Sequence, residues 1–453
     1  MAMPVMMKPT MDILIKVIQF FMSLSLLVII HELGHFLAAR MFGIRVEKFY
    51  LFFDPWFSIF KFRRGQTEYG MGWLPLGGYV KIAGMIDESM DTEQMAAEPQ
   101  PDEFRSKPAW QRLIVMVAGV VMNVVLAFVI YCGICYHWGE PYMPAEDAQW
   151  GYVWSDAGHE LGFEDGDKVL SIGGTAITEV DQIVNELLIT AEDREVVVER
   201  GGAEHTFNIP LEQLVKMRQE GGYKNMYAMR MPFELDSVAT DAAREAGLLS
   251  GDRLVALNGV EMRYFDEYRR ELPTLAGQTV TLGIERDSAN VVVAREAVVT
   301  LDENGSIGVL ARSPFVARMR EYTLLESIPA GMRRTGEEIS GYWKQIKAMV
   351  VPESKLYEEL GGFISIGNIF PSEWNWERFW LTTALLSVIL AVMNILPIPA
   401  LDGGHVLFLL WEVITRRKPS DKFLEYAQIF GLVVLFALLL YANGNDIYRL
   451  FIK

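Results

Sequence analysis

Cysteine is nearly absent from this 453-residue chain: Cys132 and Cys135 are the only two, and both sit inside one apolar run. That shortage excludes a disulfide framework and leaves no second thiol pair to complete a cysteine-based zinc site. Despite their Cys-x-x-Cys spacing, both are read as small packing hydrophobes. Basic charge is short as well. Lysine and arginine number 41 against 58 aspartates and glutamates, a formal net charge of −17, so the chain lacks the basic surface with which a nucleic-acid binder neutralises phosphates. Histidine is scarcer still, at six residues. Apolar surface is what abounds: 51% of residues are hydrophobic and 22% charged, too apolar for a large soluble enzyme and too charged for a chain wholly in lipid. The composition predicts a few spanning helices joined to water-exposed modules.

Two of the six histidines fall in Ile29-Ile30-His31-Glu32-Leu33-Gly34-His35-Phe36, inside an uninterrupted apolar segment. Histidines four residues apart share one helix face, so both imidazoles can reach one metal ion, with Glu32 beside them to take a proton from water that the metal activates. Ionisable side chains at membrane depth are costly and persist mainly where they have a task and a partner. The plainer alternative is a polar end to an apolar helix. Spacing and depth together favour metal.

Four segments are long and apolar enough to span: Ile13–Ala39, Leu113–Tyr136, Phe379–Leu396 and Leu424–Tyr441. The first ends rather than starts on basic charge, at Arg40, which separates it from a signal peptide. Lysines and arginines cluster in the connection from Arg40 to Arg112 and again at Arg416, Arg417, Lys418 and Lys422, whereas Trp138–Asp167 has none. The bias toward basic cytoplasmic loops therefore places Trp138–Glu377 outside, with both termini on that outer side, and the first and third spans running inward together.

The third span breaks at Asn394-Ile395-Leu396-Pro397-Ile398-Pro399-Ala400-Leu401-Asp402-Gly403-Gly404-His405. Interrupted helix at membrane depth belongs where backbone is buried in protein or lines a wet cavity. Asp402 is the candidate third ligand, leaving the fourth position of a tetrahedral Zn2+ for water. It could instead cap the following helix. His405 is a weaker candidate, and Asn394 could bind substrate backbone or the developing oxyanion, or merely bridge two helices.

Between the first two spans, Phe49–Phe57 and Tyr69–Lys81 are aromatic, glycine-rich and too broken for spanning helices, and they read as β-hairpins at the membrane surface. A strand edge there could pair with an unwound substrate helix, or the aromatics could simply anchor at the headgroups. Met85–Pro108, acidic and proline-containing, reads as a surface loop. Tyr322–Val350 has the helical spacing of an outer surface helix, and Glu358–Asn368 reads as a glycine-rich turn leading to the anchoring Trp374 and Trp376.

The outer region repeats itself. Gly162–Gly174 matches Gly247–Gly259, each a Gly-Asp turn followed by a short alternating strand and a glycine turn; helix-like segments (Val180–Ile189, Tyr264–Glu271) and strands (Glu195–Glu199, Thr279–Glu285) follow in the same order. Both copies resemble PDZ domains, which implies peptide binding by strand addition, although a spacer role is open. The expected layout is a first membrane segment over 1–141, modules at 142–219 and 222–311, an amphipathic linker at 312–377 and a second membrane segment at 378–453. The fold class is thus a polytopic α-helical membrane protein with four spans, membrane-associated β-hairpins and two outer α+β PDZ domains.

Taken together, His-Glu-x-x-His in a first span, Gly-Gly-Tyr-Val-Lys at 77–81 and Asn-x-x-Pro-x-Pro-x-x-Asp-Gly-Gly at 394–404 resemble the site-2 protease family of intramembrane zinc peptidases, over nearly the whole chain. The resemblance implies that His31, His35 and Asp402 hold zinc, that Glu32 is the general base, and that Asn394, Pro397, Pro399 and Gly77, Gly78, Tyr79, Val80 and Lys81 serve substrate binding. It implies a bacterial inner-membrane enzyme whose partners are the bilayer and single-span membrane proteins. Among these would be an anti-sigma factor already trimmed on its outer side, and remnant signal peptides. The alternative of another class is a catalytically idle membrane PDZ receptor, which predicts no zinc dependence.

Overall fold

The computed structural model describes residues 8–85, 98–288 and 291–452. Half of the acidic surface loop expected at Met85–Pro108, residues 86–97, lies outside them. The chain divides into two compact units. One comprises the residues up to Glu140 with Glu321–Lys347 and Leu356–Lys453, and the other Pro141–Arg320 with Ala348–Lys355.

In the first unit, α1 (Lys8–Met41), α2 (Ala109–His137), α5 (Trp376–Ile395) and α7 (Asp421–Ile452) are, among the described residues, the four helices long and apolar enough to cross a membrane. They coincide with the four segments expected. On α2 the burial repeats at every turn: Gly119, Asn123, Ala127 and Tyr131 are buried, while Val121, Val125 and Val129 are exposed. An apolar face left open in this way suits lipid. The inner face makes α2 the centre of the bundle, packed along α1, α5 and the shorter α6 (Asp402–Thr415). At 14 residues α6 is too short to span.

The two segments expected as β-hairpins are strands of one antiparallel sheet. β1 (Val46–Arg64) and β2 (Thr67–Ile82) are both bent, so that Phe49 pairs with Val80 on one side and Tyr69 on the other, and Tyr50 with Tyr79 and Gly70. The result is four strand segments joined by three ladders, made from two long strands, with Gly78–Ile82 on an outer edge. β1 bends at Phe52 and Trp56, whose φ values of 65° and 74° are rare for bulky residues and relocate the pleat. Sequence periodicity did not reveal the bend because each half reads as a complete strand.

α3 (Leu324–Val350) covers the stretch expected as a helix at Tyr322–Val350. Its Ile339, Tyr342 and Ile346 pack on the cluster formed by Ala127, Tyr131 and Ile134 of α2 with Ala384 and Val388 of α5. At the end of α2, Glu140 accepts from the Tyr322 hydroxyl and Arg333 Nη2 at 2.7 Å each and from Arg334 Nη1 at 3.2 Å. The turn expected at Glu358–Asn368 contains a short helix, α4 (Phe363–Ile369), whose first amides are held by Asp446 of α7: Gly362, Ile364 and Ser365 each donate at 3.0 Å.

The second unit contains the two repeats, each with its own core and its own four-stranded sheet. In order across the sheet the strands are Thr175–Ala176, Lys168–Ile172, Arg194–Arg200 and Ala203–Ile209 in the first, and Val260–Glu261, Arg253–Leu257, Thr279–Ser288 and Val291–Thr300 in the second. The shared Gly-Asp turn has a shared reason. Asp167 and Asp252 are fully buried, and each is gripped by an arginine through two oxygens, Arg200 at 2.7 and 2.7 Å and Arg286 at 2.6 and 2.7 Å. Both arginines also donate to the carbonyl of the turn's first glycine, Gly162 or Gly247. The first repeat runs past its expected end at 219, because Tyr227–Met229 returns to pair with Tyr152–Trp154.

Candidate metal centre

One helical turn of α1 sets His31 and His35 on the buried face, their ring centroids 4.8 Å apart and their Nε2 atoms 3.2 Å apart. Two imidazoles need space on the neighbouring helix, and Gly119 of α2 provides it. A β-carbon there would come within 2.3 Å of His35 Nε2 and 2.8 Å of His31 Cε1. The second half of the centre comes from the broken span. α5 ends at Ile395, Pro397 and Pro399 forbid its continuation, and Ala400 turns the chain at φ 76° before α6 starts at Asp402. Leu401 occupies the N-cap position, so Asp402 is not the cap of α6. Its Oδ2 lies 3.1 Å from His31 Nε2 and 3.3 Å from His35 Nε2.

The three donors form the one cluster of this kind among the described residues. Their fit to zinc can be tested directly. Bonds of about 2.0–2.1 Å in a tetrahedron separate neighbouring ligand atoms by about 3.3 Å, close to the spacings seen here. Asp402 Oδ2 is buried without a hydrogen-bond partner, as an atom reserved for a cation would be. Behind the donors, His35 Nδ1 lies 2.8 Å from the Val115 carbonyl, and His31 Nδ1 lies 3.1 Å from the side-chain amide of Asn123.

In front of them opens a cleft of about 810 Å³ lined by Glu32, Asn394, His405 and the strand from Gly77 to Lys81, with Val28 and Leu390 among its apolar walls. The Asn394 amide lies 3.4 Å from His31 Nε2. Gly78 brings the strand edge onto α1, since a β-carbon there would meet Val28 at 2.5 Å and Glu32 at 3.6 Å. Two residues of this strand have their side chains engaged elsewhere: the Tyr79 hydroxyl donates to Asp54 at 2.8 Å, and Lys81 pairs with Glu47 at 3.7 Å. Burial, with Asp54 beside it, pushes the Tyr79 phenol well above its ordinary range, so it remains a donor. Pro397 and Pro399 shape the turn and do not line the cleft. Sequence reasoning missed Gly119, Asn123 and the Val115 carbonyl; the available signal was a small and a polar residue spaced one turn apart in an apolar span.

Two histidines, a carboxylate and a neighbouring glutamate, set in a bundle of apolar helices, define the class of zinc-dependent metallopeptidases. Residues 19–438 match peptidase family M50, and the chain belongs to that family. It is similar to "Protease RseP" of Yersinia pestis, at 28% identity over 97% of this chain and 100% of that one, and to "Regulator of sigma E protease" of Haemophilus influenzae, at 26% over 95% and 98%. A Neisseria meningitidis protein with a provisional zinc-metalloprotease name is 27% identical over 95% of this chain and 98% of its own. The chain is thus a membrane-embedded zinc metalloprotease of the site-2 type.

Proposed function

We propose that this enzyme hydrolyses peptide bonds within membrane-spanning segments of other proteins, with His31, His35 and Asp402 as zinc ligands and Glu32 as general base. The observation that carries the reading is the convergence of three donor atoms at 3.1–3.3 Å beside Glu32, on helices that are apolar outside. Zinc held there supplies Lewis acidity, polarising a carbonyl and making water acidic enough to lose a proton near neutral pH. Glu32 accepts that proton and returns one to the departing amine. The Asn394 amide is placed to donate to the carbonyl oxygen as negative charge gathers on it. An intact substrate helix hides its carbonyls in hydrogen bonds, so the segment must unwind, and the Gly77–Lys81 edge offers backbone partners to the unwound stretch. Pro397 and Pro399 hold the turn that presents Asp402 and Asn394.

The substrates are single-span membrane proteins, an anti-sigma factor trimmed on its outer side and remnant signal peptides among them. The relatives named for a sigma-E regulator support the first of these. The repeats act as outer PDZ modules that inspect or exclude the external part of a substrate, supported by their matching sheets and Gly-Asp turns. The basic loops support a bacterial inner-membrane orientation with the modules and both termini on the periplasmic side. Purified protein incubated in detergent with single-span peptides should cleave them, and a zinc chelator should stop it. Glu32→Gln should keep its zinc and lose cleavage by about 100- to 10,000-fold. Cleavage unchanged in that variant would overturn the mechanism.

A further inference from the structure

We propose that Asn123 is a positioning residue for the metal centre, fixing the tautomer and ring orientation of His31 and thereby the strength with which zinc is held. The inference rests on the reading of His31, His35 and Asp402 as ligands. The Nε2 atoms of both histidines face Asp402, so each must keep its proton on Nδ1 for the Nε2 lone pair to be free. For His35 this is ensured by the Val115 carbonyl, 2.8 Å from Nδ1, which can only accept. For His31 the corresponding neighbour is Asn123, fully buried in the middle of an apolar span, with its amide nitrogen 3.1 Å from Nδ1 and its Oδ1 buried without a partner.

A protonated Nδ1 and an amide nitrogen are two donors face to face. The nitrogen and oxygen of an asparagine amide are nearly the same in shape, and turning the group over brings Oδ1 against the Nδ1 proton. The orphaned oxygen then gains the partner it lacks, and both imidazoles are backed by a carbonyl-type acceptor. Such outer hydrogen bonds raise the basicity of a ligating histidine and hold its ring in place. A purely structural role for Asn123 is served by other atoms. The hydrogen bond that ties α5 to α2 at this level runs from Ser387 Oγ to the Asn123 backbone carbonyl, at 2.8 Å, and any residue would supply that carbonyl.

The test is zinc affinity of the full-length protein in detergent, measured by competition with a chromophoric chelator. Asn123→Leu, of similar size but without an acceptor, should weaken zinc binding by about 10- to 100-fold. Asn123→Asp, which restores an acceptor oxygen, should bind as tightly as the unsubstituted protein or tighter. If Asn123→Leu does not accumulate, Asn123→Ala takes its place in the same comparison. Affinity unaltered by loss of the acceptor, or equally weakened by Asn123→Asp, would overturn the proposal. His31→Ala separates the two levels. Undiminished zinc in that variant would remove the ligand assignment itself, whereas zinc lost there but retained at full affinity in Asn123→Leu would remove only the role of Asn123.

Discussion

Asp167 and Asp252, fully buried in the repeats, and Asp402, partly buried in the membrane unit with its Oδ2 shut away from water, are aspartate carboxylates treated in opposite ways. In the repeats, Asp167 and Asp252 each receive a two-pronged arginine and a backbone amide, from Glu164 at 2.9 Å and Leu249 at 2.8 Å. In the membrane unit, Asp402 faces two imidazoles and keeps one oxygen without a hydrogen-bond partner. A buried charge that is fully paired holds a turn in place; the Asp402 oxygen, set between two imidazoles with no cationic side chain on it, is open to a cation under the proposed assignment. The difference lies in the surroundings rather than in the residue.

The comparison can be broken most severely at its incomplete member. Asp402→Asn removes the anionic donor, and the expected outcome is loss of bound zinc by elemental analysis and of all measurable cleavage, with the repeats still folded. Next in size is Arg286→Met, which strands Asp252 without its cation. Breaking a buried pair in this way costs about 3–5 kcal/mol. Thermal unfolding should show the second repeat weakened, while zinc content is unchanged. The smallest effect concerns a fourth carboxylate of intermediate kind. Burial opposes ionisation of Glu140, but the Tyr322 hydroxyl and the Arg333 and Arg334 guanidiniums outweigh it and hold its carboxyl below the usual range. A depressed pKa gives stability that is complete above the ordinary glutamate value of about 4.3 and fades as pH falls through the lower folded value. Hydrogen exchange in α3 should therefore be steady from neutral pH down to about 5 and quicken, after correction for intrinsic rates, only in stronger acid. A Glu140→Gln variant should abolish that dependence.

How much of this could be read beforehand depended on how local each signal was. His31, Glu32 and His35 announce themselves because one helical turn contains the whole pattern. The four spans and the repeated Gly-Asp turn are equally local. Asp402 stood out through the helix break and the family resemblance, although only coordinates show that Leu401 takes the N-cap position and that Asp402 Oδ2 lies beside both imidazoles. The rest depended on distance. Arg200 and Arg286 sit more than thirty residues beyond the aspartates they hold, and nothing in their own neighbourhood marks them. Gly119 and Asn123 look like ordinary members of an apolar run until α1 is laid against α2. The return of Tyr227–Met229 to the first repeat and the double pairing of β1 with β2 are facts of tertiary register, which alternation of apolar residues does not encode.

The donors of the metal centre enter the world at different times. His31 and His35 leave the ribosome early, and Asp402 follows about 370 residues later. At roughly 5–20 residues per second, the interval is about 20 to 75 s. Under the proposed ligand assignment, the growing chain over that interval carries both imidazoles and Glu32 but lacks the third donor atom, so the three-donor site is incomplete until Asp402 is made.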